Sequence, residues 1–104
     1  MIAKALLNTG SLKSLDLSSN KLSDRGVKAI GESLKLNSSL ETLKLSHNRF
    51  SESGCEGLYE GLISNRSLKQ LHLDNNLLED KCLQHMCKLL VVNSTLLEMH
   101  LDSN

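Results

Sequence analysis

Aromatic residues are almost missing from this chain of 104 residues: Phe50 and Tyr59 are the whole supply. Base stacking and the large aromatic anchors that dominate many interfaces are therefore not available in number, and any binding has to use polar side chains. Charge of one prevailing sign is missing too. Lysine and arginine total 12, as do aspartate and glutamate, so no net field draws the chain to nucleic acid or to an anionic membrane. No apolar run approaches the roughly 18 residues of a membrane span, and the opening MIAKALLNTG is too short and too lightly charged for a signal peptide. The expected compartment is the cytoplasm. Cysteine is scarce and odd in number. Cys82 and Cys87 fit neither a zinc spacing nor a redox Cys-x-x-Cys pair, so these two and Cys55 are expected as free, reduced thiols. The length allows one small domain.

What the chain does contain is a repeat. SLKSLDLSSNKL from Ser11, SLETLKLSHNRF from Ser39, SLKQLHLDNNLL from Ser67 and TLLEMHLDSN from Thr95 begin 28 residues apart. Around Leu15 and Leu17, or Leu43 and Leu45, apolar residues alternate with Asp16 or Lys44, which is the period of a strand buried on one face. Farther on, Val27/Ile30/Leu34, Cys55/Leu58/Leu62 and Leu83/Met86/Leu90 recur at i, i+3, i+7, one face of a helix. Ser23 and Ser51 stand where N-caps are wanted, with Asp24 and Glu52 beside the positive end of the helix dipole; the third unit has Glu79-Asp80 there. A single strand–helix unit cannot bury its leucines, so such units stack.

Leu-x-x-Leu-x-Leu-x-x-Asn returns as Leu12/Leu15/Leu17/Asn20, Leu40/Leu43/Leu45/Asn48, Leu68/Leu71/Leu73/Asn76 and Leu96/Met99/Leu101/Asn104. With four copies in phase, the chain resembles the leucine-rich repeat family. The repeat length and the helical segments, with small residues at Gly26 and Gly54, resemble its ribonuclease-inhibitor-like subfamily. The resemblance implies an α/β solenoid, a horseshoe segment with a parallel sheet on the concave face and helices on the convex face. It also implies that Asn20, Asn48, Asn76 and Asn104 form a structural ladder at the bend after each strand, where amides can satisfy unpaired backbone groups. Residues 1–104 then form one repeat domain: the end of a truncated helix at 1–10, repeats at 11–38, 39–66 and 67–94, and the strand of a truncated repeat at 95–104. Ile2 and Leu6 align with Ile30 and Leu34. Neither end carries the polar cap that solenoids use, so the expectation is a segment of a longer array, with self-association through the uncapped ends as the alternative.

Strand alternation sends three columns of side chains to the concave face: Ser14/Thr42/Gln70/Glu98, Asp16/Lys44/His72/His100 and Ser18/Ser46/Asp74/Asp102. The expected partner-binding set on this face is Asp16, Lys44, His47, Gln70, His72, Asp74, Glu98, His100 and Asp102. Its sign changes along the sheet, a pattern that confers specificity in protein association. His72 and His100 with Asp74 and Asp102 have the composition of a divalent-metal ligand set, but a merely hydrated polar face accounts for them, and neither metal nor cofactor is assigned.

Nothing points to catalysis. There is no Gly-x-Ser-x-Gly elbow and no Cys/His nucleophile motif. Asn37, Asn65 and Asn93 each open a glycosylation sequon, but all three share one repeat position, and an asparagine ending a helix in the left-handed conformation explains them more simply. Leu77 and Leu97 replace polar residues of the other repeats and are expected to be exposed. The function expected is a non-enzymatic scaffold for an unidentified protein partner, with no nucleic acid and no membrane. The resemblance also admits a GTPase-regulating role or an innate-immune sensor region, yet no loop arginine offers itself as a finger, and no Gly-x-x-x-x-Gly-Lys-[Ser/Thr] motif is present.

Overall fold

The computed structural model of the chain describes residues 10–104. Ile2 and Leu6, and with them the truncated first helix, lie outside the described residues. From residue 10 onward, strand and helix alternate: β1 (Ser14–Asp16), α1 (Asp24–Leu34), β2 (Thr42–Lys44), α2 (Glu52–Ser64), β3 (Gln70–His72), α3 (Asp80–Val92) and β4 (Glu98–His100). The four strands form one parallel sheet in chain order, each strand pairing with its sequence neighbours. Leu15, Leu43, Leu71 and Met99 stand in register across it. This is the α/β solenoid segment that the 28-residue period requires, because each strand–helix crossover returns the chain beside its previous strand.

The core runs between the sheet and the helix row. Leu40, Leu43, Leu45, Phe50, Cys55, Leu58 and Leu62 of the middle repeat are all fully buried. In the third repeat the buried helix face is Cys82, Met86 and Leu89, whereas Leu83 and Leu90 are 43% and 52% exposed. This corrects the expected Leu83/Met86/Leu90 face. The positions equivalent to Leu83 and Leu90 are covered by the following repeat, and among the described residues nothing stacks beyond α3. Leu77 and Leu97 are exposed, as their departure from the repeat foretold.

The asparagine ladder is present and its bonds run between repeats. The Asn20 N–H donates to Asn48 Oδ1 (2.8 Å), the Asn48 N–H to Asn76 Oδ1 (2.8 Å) and the Asn76 N–H to Asn104 Oδ1 (2.9 Å). Asn48 Nδ2 in turn donates to Leu17 O and Leu45 O, both at 3.0 Å. Residues beside the ladder carry the bend: Ser19, Lys21, His47, Arg49, Asn75 and Ser103 all have left-handed φ angles of 56° to 66°. That is a costly conformation for side chains with a Cβ, held here by the surrounding bonds.

A second ladder stands at the helix C-termini. Asn65 Nδ2 donates to Leu34 O and Asn37 O, while its Oδ1 accepts from the Ser67 and Leu68 N–H groups. Asn93 repeats this arrangement with Leu62 O, Asn65 O and the Thr95 and Leu96 N–H groups. Both are buried, and both have extended backbone (φ −76° and −112°) rather than the left-handed cap expected from sequence. The side-chain amide, not a turn conformation, is what each helix end needs: it satisfies carbonyls of the previous repeat and amides of its own.

The helix N-termini are also closed across repeats. Ser23, Ser51 and Glu79 do occupy the N-cap positions, but none makes a side-chain cap bond. Instead Asp24 Oδ1 accepts from the Ser51 and Gly54 N–H groups at the start of α2, and Asp24 Oδ2 from Ser51 Oγ. Glu52 likewise accepts from the Glu79 and Cys82 N–H groups at the start of α3. Each acidic residue therefore caps the next helix rather than its own. Burial raises the Asp24 pKa, but the bonds from Ser51 and Gly54 and the charge of Lys28 outweigh it, so its carboxyl lies below the ordinary 3.8.

The two helix–helix joints differ. Between α1 and α2, Gly31, Gly57 and Gly61 bring the backbones so close that a Cβ on Gly31 or Gly61 would collide with the facing carbonyl. Between α2 and α3, Tyr59 and His85 occupy that space, their rings stacked at 4.8 Å. There Cys55 and Cys82, Cα atoms 5.8 Å apart, form a disulfide. This corrects the expectation of three free thiols. The two cysteines are 27 residues apart, one short of the repeat, so stacking sets them side by side at the N-terminal ends of α2 and α3. Cys87 is free and exposed.

Candidate functional site

The strand register carries the concave face. Ser14, Thr42, Gln70 and Glu98 are successive cross-strand partners, as are Asp16, Lys44, His72 and His100. The inward Leu43 and Leu71 are fully buried while their neighbours on either side reach solvent, as alternation along a half-buried strand demands. Asp16, His47, Gln70, Glu98 and Asp102 are exposed; Lys44, His72, Asp74 and His100 are half-buried. His47 lies apart from the columns, at the left-handed bend after β2, with Nε2 3.3 Å from Asn75 Nδ2.

The third column is partly tied into the backbone. Ser18 Oγ accepts from the Ser46 N–H (3.2 Å), and Asp74 Oδ1 accepts from the Asp102 N–H (2.7 Å). Asp16 Oδ1 turns to its own bend and accepts from the Ser18 N–H (3.0 Å). The bonds from Ser18, reinforced by Lys44 and His72 nearby, hold the Asp16 carboxyl below its usual range against a small desolvation effect.

The histidines come together as the register implies. The His72 and His100 rings lie parallel within 4°, with centroids 4.3 Å apart. Burial, then the neighbouring His100 and Lys44, push the His72 pKa down, against the opposing pull of Asp74 and Glu98. A neutral imidazole keeps a nitrogen lone pair, and His72 Nε2 is enclosed with no hydrogen-bond partner. Glu98 Oε2 lies 3.7 Å from His100 Nε2. Glu98, expected from sequence only as a partner contact, thus sets a carboxylate beside His100, while Asp74 accepts from the Asp102 backbone.

Beside the columns, Lys13, Glu41 and Lys69 form a row of exposed ion pairs, 3.8 and 3.7 Å across, that ends at the apolar Leu97. The repeat alignment placed these residues at one position but did not signal their pairing. Exposed pairs of this sort add little stability; their effect is to fix a charged border along one side of the sheet.

With four in-register strands, three covering helices and the asparagine ladder established, the comparison with known families is decisive. Models described as Leucine Rich Repeat match residues 11–31 and 36–58 in one form and 67–90 in another. The chain belongs to the leucine-rich repeat family. Among solved structures this leucine-rich repeat segment is similar to one titled leiomodin-1 actin-binding site 2, with 27% identity and a TM-score of 0.89 over 95% of this chain and 58% of that one. It shares its fold with the C-terminal domain of tropomodulin from Caenorhabditis elegans, with 20% identity and a TM-score of 0.83 over 95% of this chain and 63% of that one. The segment thus spans less than two thirds of either neighbour. No curated protein sequence matches it. No helix among the described residues is long and apolar enough to cross a membrane.

Proposed function

We propose that the chain is a non-enzymatic protein-interaction scaffold that binds a partner through the concave face, as a segment of a longer cytoplasmic array of ribonuclease-inhibitor-like repeats. The observation that carries this reading is the in-register set of polar columns on a sheet whose opposite face packs into the core, fully buried at Leu43 and Leu71 and partly buried at Leu15 and Met99. Such a surface holds Asp16, Lys44, Gln70, His72, Asp74, Glu98, His100 and Asp102 in fixed relative positions, so little ordering entropy is lost when a complementary surface docks. The alternating charge, with Lys44 between Asp16 and the acidic Asp74, Glu98 and Asp102, favours a partner of matching pattern over others.

Actin is the partner to test first, because the leiomodin-1 structure is titled an actin-binding site and the likeness to it covers nearly this whole chain. Co-sedimentation with filaments and a monomer-binding titration would be run for the wild type, for His72→Ala with Asp74→Ala, and for the convex-face variant Glu56→Ala. The expected outcome is binding that the concave pair weakens at least about tenfold, as loss of ~1.4 kcal/mol requires, and that Glu56→Ala leaves unchanged. Failure of actin to bind retires that partner. A partner whose binding ignores the concave pair retires the concave face.

A second reading, self-association end to end, is favoured by the face beyond α3. A groove of about 590 Å³ is lined there by Leu77, Leu83, Leu101 and Asp80, and Asp80 occupies the position from which Asp24 and Glu52 cap the next helix. Sedimentation over a wide concentration range separates the two: mass that grows with concentration, and no longer does so in Leu83→Glu, supports stacking, and a constant monomer mass excludes it.

A further inference from the structure

We propose that His72, Glu98 and His100 form a binding site for a divalent transition metal of zinc-like preference on the concave face. The site is separate from the protein-binding reading, since it requires no partner. It joins two adjacent strands: His72 on β3 pairs directly with His100 on β4, and Glu98 lies two residues before His100 on the same face. One ligand atom from each of the three lies within 4.8 Å of the others.

The donor set is two imidazole nitrogens and one carboxylate oxygen, which selects borderline cations such as zinc over calcium or magnesium; the latter favour sites built from oxygens alone. Zinc bonds of about 2.0–2.1 Å put tetrahedral ligand atoms about 3.3 Å apart, so the three must close by roughly an ångström and a half. The means are at hand. The His100 and Glu98 side chains are 41% and 56% exposed, so both can change rotamer without displacing packed neighbours, and metal bonding replaces the parallel ring contact.

Two further features bear on the site. His72 is the least free of the three, half-buried with Nε2 enclosed and without a hydrogen-bond partner, so a metal bond on this ring would displace no existing hydrogen bond at that atom. Asp74 and Asp102 add negative charge along the same strands, and Lys44, next in the histidine column, opposes it. The carboxylates of Asp74 and Asp102 are poorer ligand candidates than Glu98. Asp74 already accepts from the Asp102 N–H, which fixes it towards the bend.

The test is zinc uptake by the chelator-treated full chain near neutral pH, followed by calorimetry and by zinc analysis after gel filtration. His100→Gln, Glu98→Gln and Cys87→Ser run beside the wild type, with circular dichroism confirming that each is folded. The expected result is a single equivalent of zinc per chain, an affinity lowered at least tenfold in His100→Gln and lowered in Glu98→Gln, and no change in Cys87→Ser. Failure to take up zinc, uptake that His100→Gln leaves intact, or uptake lost in Cys87→Ser, where the exposed thiol would be the ligand, would each overturn the proposal.

Discussion

Asn20 and Asn48 hold the same place in the sequence pattern and differ in what surrounds them. Asn48 is buried, accepts from the Asn20 and Leu22 N–H groups, and donates to Leu17 O and Leu45 O. Asn20 is exposed and gives its amide to Ser18 O. Removing one side chain from a buried network strands several backbone groups, each at about 1–3 kcal/mol. Asn48→Ala should therefore destabilise the chain by about 3 kcal/mol or more, and Asn20→Ala by less than about 1 kcal/mol. Urea unfolding checks this through the midpoints, provided the slopes agree. This ladder was legible in the sequence because its spacing is the motif itself. The second ladder was not: Asn37, Asn65 and Asn93 also recur every 28 residues, but an asparagine at a helix end has a ready local explanation as a C-cap, and nothing in one repeat reveals that its amide reaches the previous one.

At the level of helices, glycine marks where stacking is tightest. Gly61 and Gly26 both lie in helical segments, yet a Cβ on Gly61 would strike the Gly31 carbonyl, while one on Gly26 meets only the Leu22 side chain at 3.5 Å. Gly61→Ala should force α1 and α2 apart and cost about 1–3 kcal/mol, whereas Gly26→Ala should stabilise by roughly 0.5–1 kcal/mol through its helix preference. Opposite shifts of the melting temperature for one chemical change would verify that the seam, not glycine as such, is what matters. The capping carboxylates make a pH-dependent counterpart. The Asp24 pKa is depressed in the fold, so its contribution is present above the unfolded value near 3.8 and is lost as pH falls through the lower folded value. Asp24→Ala should cost about 1 kcal/mol near neutral pH, and its difference from wild type should shrink in acid; a difference that stays constant with pH would contradict the charged cap. Sequence placed Asp24 and Glu52 near helix N-termini and missed whose helix they serve. The bonds span 27 and 30 residues, offsets that a search within one repeat does not examine.

Across the whole molecule the two joints give an uneven solenoid. A repeat array is held by nearest-neighbour interfaces, so its weakest joint opens first. Between α1 and α2 the glycine seam allows backbone-to-backbone contact; between α2 and α3 Tyr59 and His85 stand in its place. The Cys55–Cys82 disulfide spans this second joint. The period alone led to the solenoid and to the columns of its sheet, because leucine spacing dictates both; the cysteine pair escaped because its 27-residue separation is meaningful only once the repeats are stacked. Closing a loop of that length stabilises by about 3.5 kcal/mol on chain-entropy grounds, and the benefit falls on α3 and β4, which have no neighbour beyond them among the described residues. The oxidised chain should show one thiol to an alkylating reagent, Cys87, and three after reduction and unfolding. In reductant, amide exchange should quicken first in α3 and β4 while α1, α2 and the sheet between them keep their protection. Equal loss along the chain would mean that the joints are equally strong and that the glycine seam confers no advantage.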